Sequence, residues 1–298
     1  MKRYGVPYQG SKNAIAKRII DFIPPANNFY DLFAGGYAIT HCAIESGKWQ
    51  NFVANDIDGA GIELFVNAVS GKYKNEKRWI GREDFLQLKN TDPYVQACWS
   101  FGNNRRNYLY SKEIEPWKKA LHYARVFGDA SLLSEFGINS NGSRADIKAY
   151  CEEYKQKYIA WYTNKAGHSD NLQSLEKLQK LQRLQSLESL ERLESLQSLE
   201  SLESLQSLER FTLDYQAIRI KPNSVIYCDI PYRQKTGYGQ KFDYDRFYKW
   251  ACEQTQPIFI SEYWMPEDKF KCVLEIPHLN RMDKAKNTKS IERLFMPR

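Results

Sequence analysis

Apolar positions along the first seventy residues follow two alternating periods. NNFYDLF (27–33) is a short apolar run that ends in a carboxylate and leads to two glycines, which predicts a strand. YAITHCAIES (37–46) has the three-to-four spacing of a helix, NFVANDID (51–58) predicts a second strand, and GAGIELFVNAVSG (59–71) a second helix. The four together read as a βαβα unit of a parallel sheet. Near the other end, NSVIYCDIPY (223–232) predicts an apolar strand stopped by an acid and a proline, and DYDRFYKWACEQT (243–255) an amphipathic helix. PIFISEY (257–263), KCVLEI (271–276) and ERLFMP (292–297) predict three further strands. Residues 71–170 show no strand alternation and are rich in Arg, Asn, Tyr and Trp, which predicts a separate, mostly helical recognition region.

A repeat divides the two strand-rich parts. Leucine recurs at every third position from Leu172 to Leu208, and Phe211 takes the next place in the series. On an α-helix three residues turn about 300°, so successive leucines drift by about 60° and form no single dry stripe. A 3₁₀-helix would stack them on one edge, but long 3₁₀ runs are poorly bonded, and Leu, Glu, Gln, Lys and Arg favour the α form. The expectation is a helical spacer or docking ridge, 3₁₀ or α. The resulting division is 1–70 and 211–298 for a two-part α/β core, 71–170 for recognition and 171–210 for the repeat.

Charge sharpens this division. The 298 residues carry a net +7, while the repeat carries −2, which leaves +9 on the remainder. A basic, aromatic-rich body suits a polyanionic partner such as DNA. Six scattered cysteines form no CxxC pair, and four dispersed histidines form neither HxH nor HExxH, so neither a disulfide framework nor a metal site is expected. No run of eighteen apolar residues could cross a membrane, and MKRYGVPYQGSK lacks the apolar stretch of a secretory signal, so an intracellular protein is expected.

Three constellations carry candidate chemistry. At Asp31-Leu32-Phe33-Ala34-Gly35-Gly36 the glycines permit a sharp strand-to-helix turn and close approach of a ligand, though such turns also occur without one. Some twenty residues on, Asp56 ends the second strand, where an acid can accept both hydroxyls of a ribose; Asp58 is placed to cap the next helix. Asp229-Ile230-Pro231-Tyr232 joins an acid, a rigid proline and an aromatic at a strand end. Methylating a nucleobase amine calls for an acceptor for each N–H and an aromatic face for the unstacked base. Asp229, the Ile230 carbonyl and Tyr232 could supply these.

PYQGSK, DLFAGGYAIT, NDID and CDIPY occur in the order and approximate spacing of the Dam-like adenine-specific DNA methyltransferases, and the chain outside the repeat resembles that family. The resemblance implies a Rossmann-like methyltransferase core that uses S-adenosylmethionine on double-stranded DNA with a flipped adenine, in the cytoplasm of a bacterial or phage-infected cell. It implies cofactor contacts at Tyr8, Lys12, Phe33, Gly35, Asp56, Asp214 and Asp229, and catalysis at Asp229, Ile230, Pro231 and Tyr232, the positions of the family's D-P-P-Y. Asp214-Tyr215 would be its acid-aromatic pair at the cofactor adenine. Within SFGNNRRNY (100–108), Asn103, Asn104, Arg105 and Arg106 are of the types that read base edges and phosphates.

Two departures stand out. Ile230 replaces the first proline of D-P-P-Y, and Tyr37 stands where the last glycine of the usual FxGxG would be. Cytosine-N4 methylation makes the same demands of the motif, and a catalytically silent DNA-binding protein is an alternative of another class.

Overall fold

The computed structural model describes residues 3–136, 187–201, 207–233, 242–279 and 289–298, with 149 and 152 as isolated positions. The chain divides into two units, one of residues 1–72 with 195–298 and the other of residues 73–194.

The first unit is built on seven strands: β1 (Asn28–Asp31), β2 (Asn51–Asn55), β3 (Leu208–Phe211), β4 (Ser224–Asp229), β5 (Ile258–Glu262), β6 (Phe270–Leu279) and β7 (Lys289–Pro297). Their order is β3-β2-β1-β4-β5-β7-β6. The first five are parallel, and β7 runs antiparallel to both β5 and β6. This mixed α/β arrangement is consistent with the Rossmann-like core that the sequence resemblance implies. β1 and β5 are buried at every position, as parallel strands covered on both faces should be. Helices α1 (Ala16–Phe22), α2 (Ala38–Ser46) and α3 (Gly59–Val69) precede or follow the first strands. The helix Tyr244–Cys252 buries Phe247, Tyr248 and Ala251 in a core shared with Tyr30, Ile226, Cys228, Ile230 and Ile260.

From β1 the chain proceeds to β2 on one side of the sheet, whereas from β4 it proceeds to β5 on the other. The connections leaving these two central neighbours therefore diverge, and a crevice opens beyond their C-terminal ends. Asp31 and Asp229 are the last residues of the two strands.

The second unit contains α4 (Arg82–Leu88), α5 (Pro93–Cys98) and α6 (Glu115–Phe127), with 3₁₀ turns at Phe101–Asn103 and Ser131–Phe136. The side chain of Asp92 caps α5 by accepting the N–H of Tyr94 and Val95, and Pro93 opens the helix. A core of Trp117, Leu121, Leu133 and Leu187 lies against α6.

The triplet repeat is only partly described, since 171–186 and 202–206 lie outside the described residues. Over the described stretch it forms α7 (Glu188–Gln197), followed by a 3₁₀ turn at Ser198–Ser201. Leu187, Leu193, Leu196 and Leu199 are buried and Leu190 is half-buried, while Glu194 and Glu200 are exposed. The 60° drift spreads the leucines over roughly half the helix circumference, so they do not form one ridge. The expectation of a helix up to residue 210 is corrected at the last triplet. Leu208 enters β3 and pairs with Phe52, because the outer edge of β2 offers backbone groups that a strand satisfies and a helix cannot.

The alternation of buried Leu with exposed Glu predicts a contrast. Leu196→Ala should cost about 2–5 kcal/mol, whereas Glu194→Ala should stay within about 0.5 kcal/mol. Urea unfolding of the two variants beside the parent checks this, and equal effects would show that the leucine carries no packing.

Candidate active site

Asp31 closes the floor of the crevice. It is 1% exposed, and its Oδ2 accepts the Thr40 hydroxyl of α2 at 2.7 Å. Its Oδ1 is buried with no hydrogen-bond partner. Burial pushes this carboxyl up to about 7; the Thr40 bond opposes the rise, and the charges of Asp229 and Asp56 add to it.

The turn after β1 is drawn tight by its neighbours. Gly35 adopts φ +48°, and a β-carbon on Gly36 would lie 2.4 Å from the Tyr8 Cβ, so Tyr8 packs directly onto the glycine backbone. Tyr37, in place of the missing glycine, keeps the left-handed conformation at φ +63°. That conformation costs a side-chain-bearing residue about 1–3 kcal/mol. The fully buried ring stacks on Phe65 at 4.6 Å, which offsets part of the cost. The departure from FxGxG thus changes the residue and keeps the turn.

Asp56 ties this turn to the next one. Its Oδ2 accepts the Gly35 N–H at 2.7 Å and its Oδ1 the Asp58 N–H at 2.8 Å. Asp58 caps α3 by accepting the Ala60 N–H. Asp214 receives the Arg246 guanidinium at 2.9 and 3.0 Å and caps the 3₁₀ turn that contains Tyr215. Tyr215 packs against Phe33, with ring centroids 5.4 Å apart.

At the end of β4, Asp229 Oδ1 lies 2.8 Å from the Lys12 ammonium. Lys12 is buried and also donates to the Tyr232 hydroxyl, and its ammonium stands 4.6 Å from the Tyr232 ring centroid. Burial alone would lower the lysine pKa, but the charges of Asp229 and Glu292 outweigh it and hold Lys12 protonated. Glu292, on β7, accepts hydrogen bonds from the hydroxyls of Tyr232 and Ser261, both at 2.7 Å, and its Oε1 is 3.7 Å from the Lys12 ammonium. Ile230 is buried in the core. The ladder fixes Asp229 opposite Ser261 regardless.

A cavity of about 650 Å³ occupies the crevice, and all the residues that the sequence assigned to cofactor or catalysis line it. Three further polar groups stand at the crevice or behind it, Asp31, Glu292 and Ser261, and none is assigned a role of its own from the sequence. Asp31 was visible as an acid ending the first strand. Glu292, between Ile291 and Arg293, is one charged residue among several near the C-terminus, and nothing local marks Ser261 either. Among the described residues, no three His, Cys, Asp or Glu side chains are placed to hold a metal ion.

The recognition candidates belong to the second unit. The Asn103 amide donates to the Ala97 carbonyl, and Asn104 Oδ1 accepts the N–H of Arg106 and Asn107. Both asparagines therefore shape the loop, whose arms join at the Ser100–Tyr108 bridge. Arg106 and Phe101 are exposed and Arg105 is half-exposed.

The Asp31 carboxyl sets a pH dependence. Its folded value near 7 lies above its ordinary 3.8, so its contribution to stability is full below about pH 4 and is lost as pH rises through 7. Asp31→Asn, which cannot ionise, should therefore gain on the parent between pH 4 and 8 in paired urea titrations. A difference that stays constant over that range would refute the assignment.

No curated protein matches the chain in sequence. Among solved structures it is similar to the rRNA methyltransferase aviRa from Streptomyces viridochromogenes, at 13% identity and a TM-score of 0.34, over 95% of this chain and 82% of that one. The family described as D12 class N6 adenine-specific DNA methyltransferase matches residues 8–256. With that match spanning most of the sequence, the chain belongs to the D12 class of N6 adenine-specific DNA methyltransferases.

Proposed function

We propose that the cavity is the catalytic site of a Dam-like, D-P-P-Y-type enzyme in which Asp229-Ile230-Pro231-Tyr232 receives a flipped adenine. The activity of the class is transfer of a methyl group from S-adenosylmethionine to adenine N6 of DNA. The observation that carries the reading is the position of Asp229. It ends β4 at the point where the strand order diverges, held by Lys12 beside Tyr232 and facing a cavity of ligand size.

The residues present fit the cofactor. Asp31 offers a buried carboxylate oxygen without a partner, suited to an ammonium group, and Gly35 and Gly36 leave the backbone bare for close approach. Asp56 lines the same cavity with a carboxylate, the type of group that accepts ribose hydroxyls. Phe33 supplies an apolar wall, and Tyr8 and Lys12 of the N-terminal segment line the same cavity. When bound, the cofactor supplies an electrophilic methyl group.

The chain's own residues orient the amine. Asp229 accepts one N–H and the Ile230 carbonyl the other, which points the nitrogen lone pair at the incoming carbon. Tyr232 offers the face on which the base rests, its hydroxyl anchored by Lys12 and Glu292. Asp229 shares its charge with a lysine, and it orients the amine while the proton passes to solvent. Arg105 and Arg106 supply contact with DNA from the loop of the second unit.

Incubation with methyl-labelled cofactor and mixed-sequence DNA, followed by digestion to nucleosides, tests the assignment. N6-methyladenine is expected, and N4-methylcytosine or no label would overturn it. Asp229→Asn should lower methyl transfer more than tenfold, about 1.4 kcal/mol or more, with cofactor affinity nearly unchanged. Asp56→Ala should instead weaken cofactor binding by about 1–3 kcal/mol, read by calorimetry. Joint replacement of Arg105 and Arg106 by Ala should weaken DNA binding and flatten its dependence on salt; an unchanged salt slope would remove both from the interface.

A further inference from the structure

Glu292 lies beyond the stretch matched by the family, on the penultimate strand of the sheet, yet it reaches the catalytic end of β4. It is 3% exposed, so its carboxylate has been taken out of water. Burial of that kind is tolerated when donors surround the group, and three do: the Tyr232 hydroxyl, the Ser261 hydroxyl and the Lys12 ammonium. Hydrogen bonding to the two hydroxyls needs only an acceptor, and a neutral amide would serve as well. The presence of an acid here, and not an amide, therefore calls for a separate account.

A count of charge supplies one. Lys12 alone against Asp229 would make a neutral pair, and Asp229 would then face the target amine as one half of a spent ion pair. With Glu292 on the other side of the same ammonium, the cluster carries a net −1 in a region of low exposure. We propose that Glu292 is a positioning residue for methyl transfer: it shares Lys12 with Asp229 and so keeps the catalytic end of β4 anionic towards the target amine. This rests on the reading of Asp229 given above.

The anionic excess acts when the reaction needs it. The amine nitrogen gives its electron pair to the methyl carbon, the carbon–sulfur pair returns to sulfur, and the nitrogen becomes cationic until its proton leaves to solvent. A net −1 cluster beside that nitrogen is attracted to the charge as it forms and gains less from the neutral amine beforehand, so its effect falls on turnover more than on binding. The position of the acid suits this role. Glu292 is held by the β7 ladder opposite Ile276, and Ser261, which hydrogen-bonds it, is paired with Asp229 across β4 and β5. Two strands fix the distance between the acids, so the lysine cannot collapse wholly onto one of them.

Glu292→Gln keeps the shape and the acceptor oxygen but removes the charge. The expected result is at least a tenfold loss of kcat, with the KM for DNA, the cofactor Kd and the melting temperature close to the parent. Ser261→Ala removes one hydrogen bond and keeps the charge, and should cost less than threefold. Glu292→Asp keeps the charge in a poorer shape and should be faster than Glu292→Gln. A Glu292→Gln enzyme with kcat within threefold of the parent overturns the proposal, and so does a Ser261→Ala loss as large as that of Glu292→Gln. If Glu292→Gln does not fold, Glu292→Asp carries the test alone: a folded protein above one thirtieth of parental kcat supports the proposal, and one below it does not. Asp229→Asn, assayed in parallel, separates the two readings. An inactive Asp229→Asn beside an unimpaired Glu292→Gln sinks only the role of Glu292, whereas full activity in both sinks the catalytic assignment of Asp229 as well.

Discussion

Everything at the site depends on the divergence of the chain at β1 and β4. Two parallel neighbours whose onward connections leave in opposite directions cannot have the space beyond their ends filled by their own loops. The sheet thereby sets two carboxylates, Asp31 and Asp229, in one crevice. Parallel strands are buried on both faces, so these acids are positioned by ladder register and by core side chains such as Tyr30 and Ile226. Neither relies on a long flexible loop to hold its place.

Such placement has an electrostatic cost, and the two acids meet it differently. Asp31 has one hydroxyl donor and an oxygen with no partner, so it retains its proton to near neutrality. Asp229 has an ammonium at 2.8 Å. That ammonium is itself buried and persists as a cation because acids stand on two sides of it. The N-terminal segment and the last strand, nearly three hundred residues apart in sequence, are joined through the Lys12, Tyr232 and Glu292 side chains. Removing any one of them leaves a buried polar group unmatched, which is why the cluster behaves as a unit.

The parallel part of this architecture was legible in the sequence because its signals are local. Apolar runs that stop at an acid marked β1, β2 and β4, and the glycine pair marked the turn after β1. What escaped was set by distance. β3 lies inside a leucine repeat whose composition favours helix, and only the vacant edge of β2 decides that Leu208–Phe211 is extended. The insertion of β7 between β5 and β6 is a fact of pairing that no local pattern encodes. Glu292 acquires meaning only through that pairing, since in the sequence it is one charged residue among several near the C-terminus. Asn103 and Asn104 show that residue types suited to reading bases are also suited to building turns, since their side chains hydrogen-bond to the backbone of their own segment.

The two positions at which the sequence departs from the motifs it resembles follow one logic. Tyr37 accepts a left-handed backbone that a glycine would take without strain, and its ring is fully buried against Phe65. Ile230 gives up the fixed φ of proline and gains a place in the core beside β4. In each case a conformational preference carried by the backbone is exchanged for packing carried by a side chain. The exchange is tolerable because the neighbouring atoms of the proposed site are fixed by other means: the Gly35 N–H by Asp56, and Asp229 by its pairing with β5 and by Lys12. A motif position can therefore lose its usual residue without losing its geometry, provided that the atoms doing the chemistry are held by contacts from outside the motif.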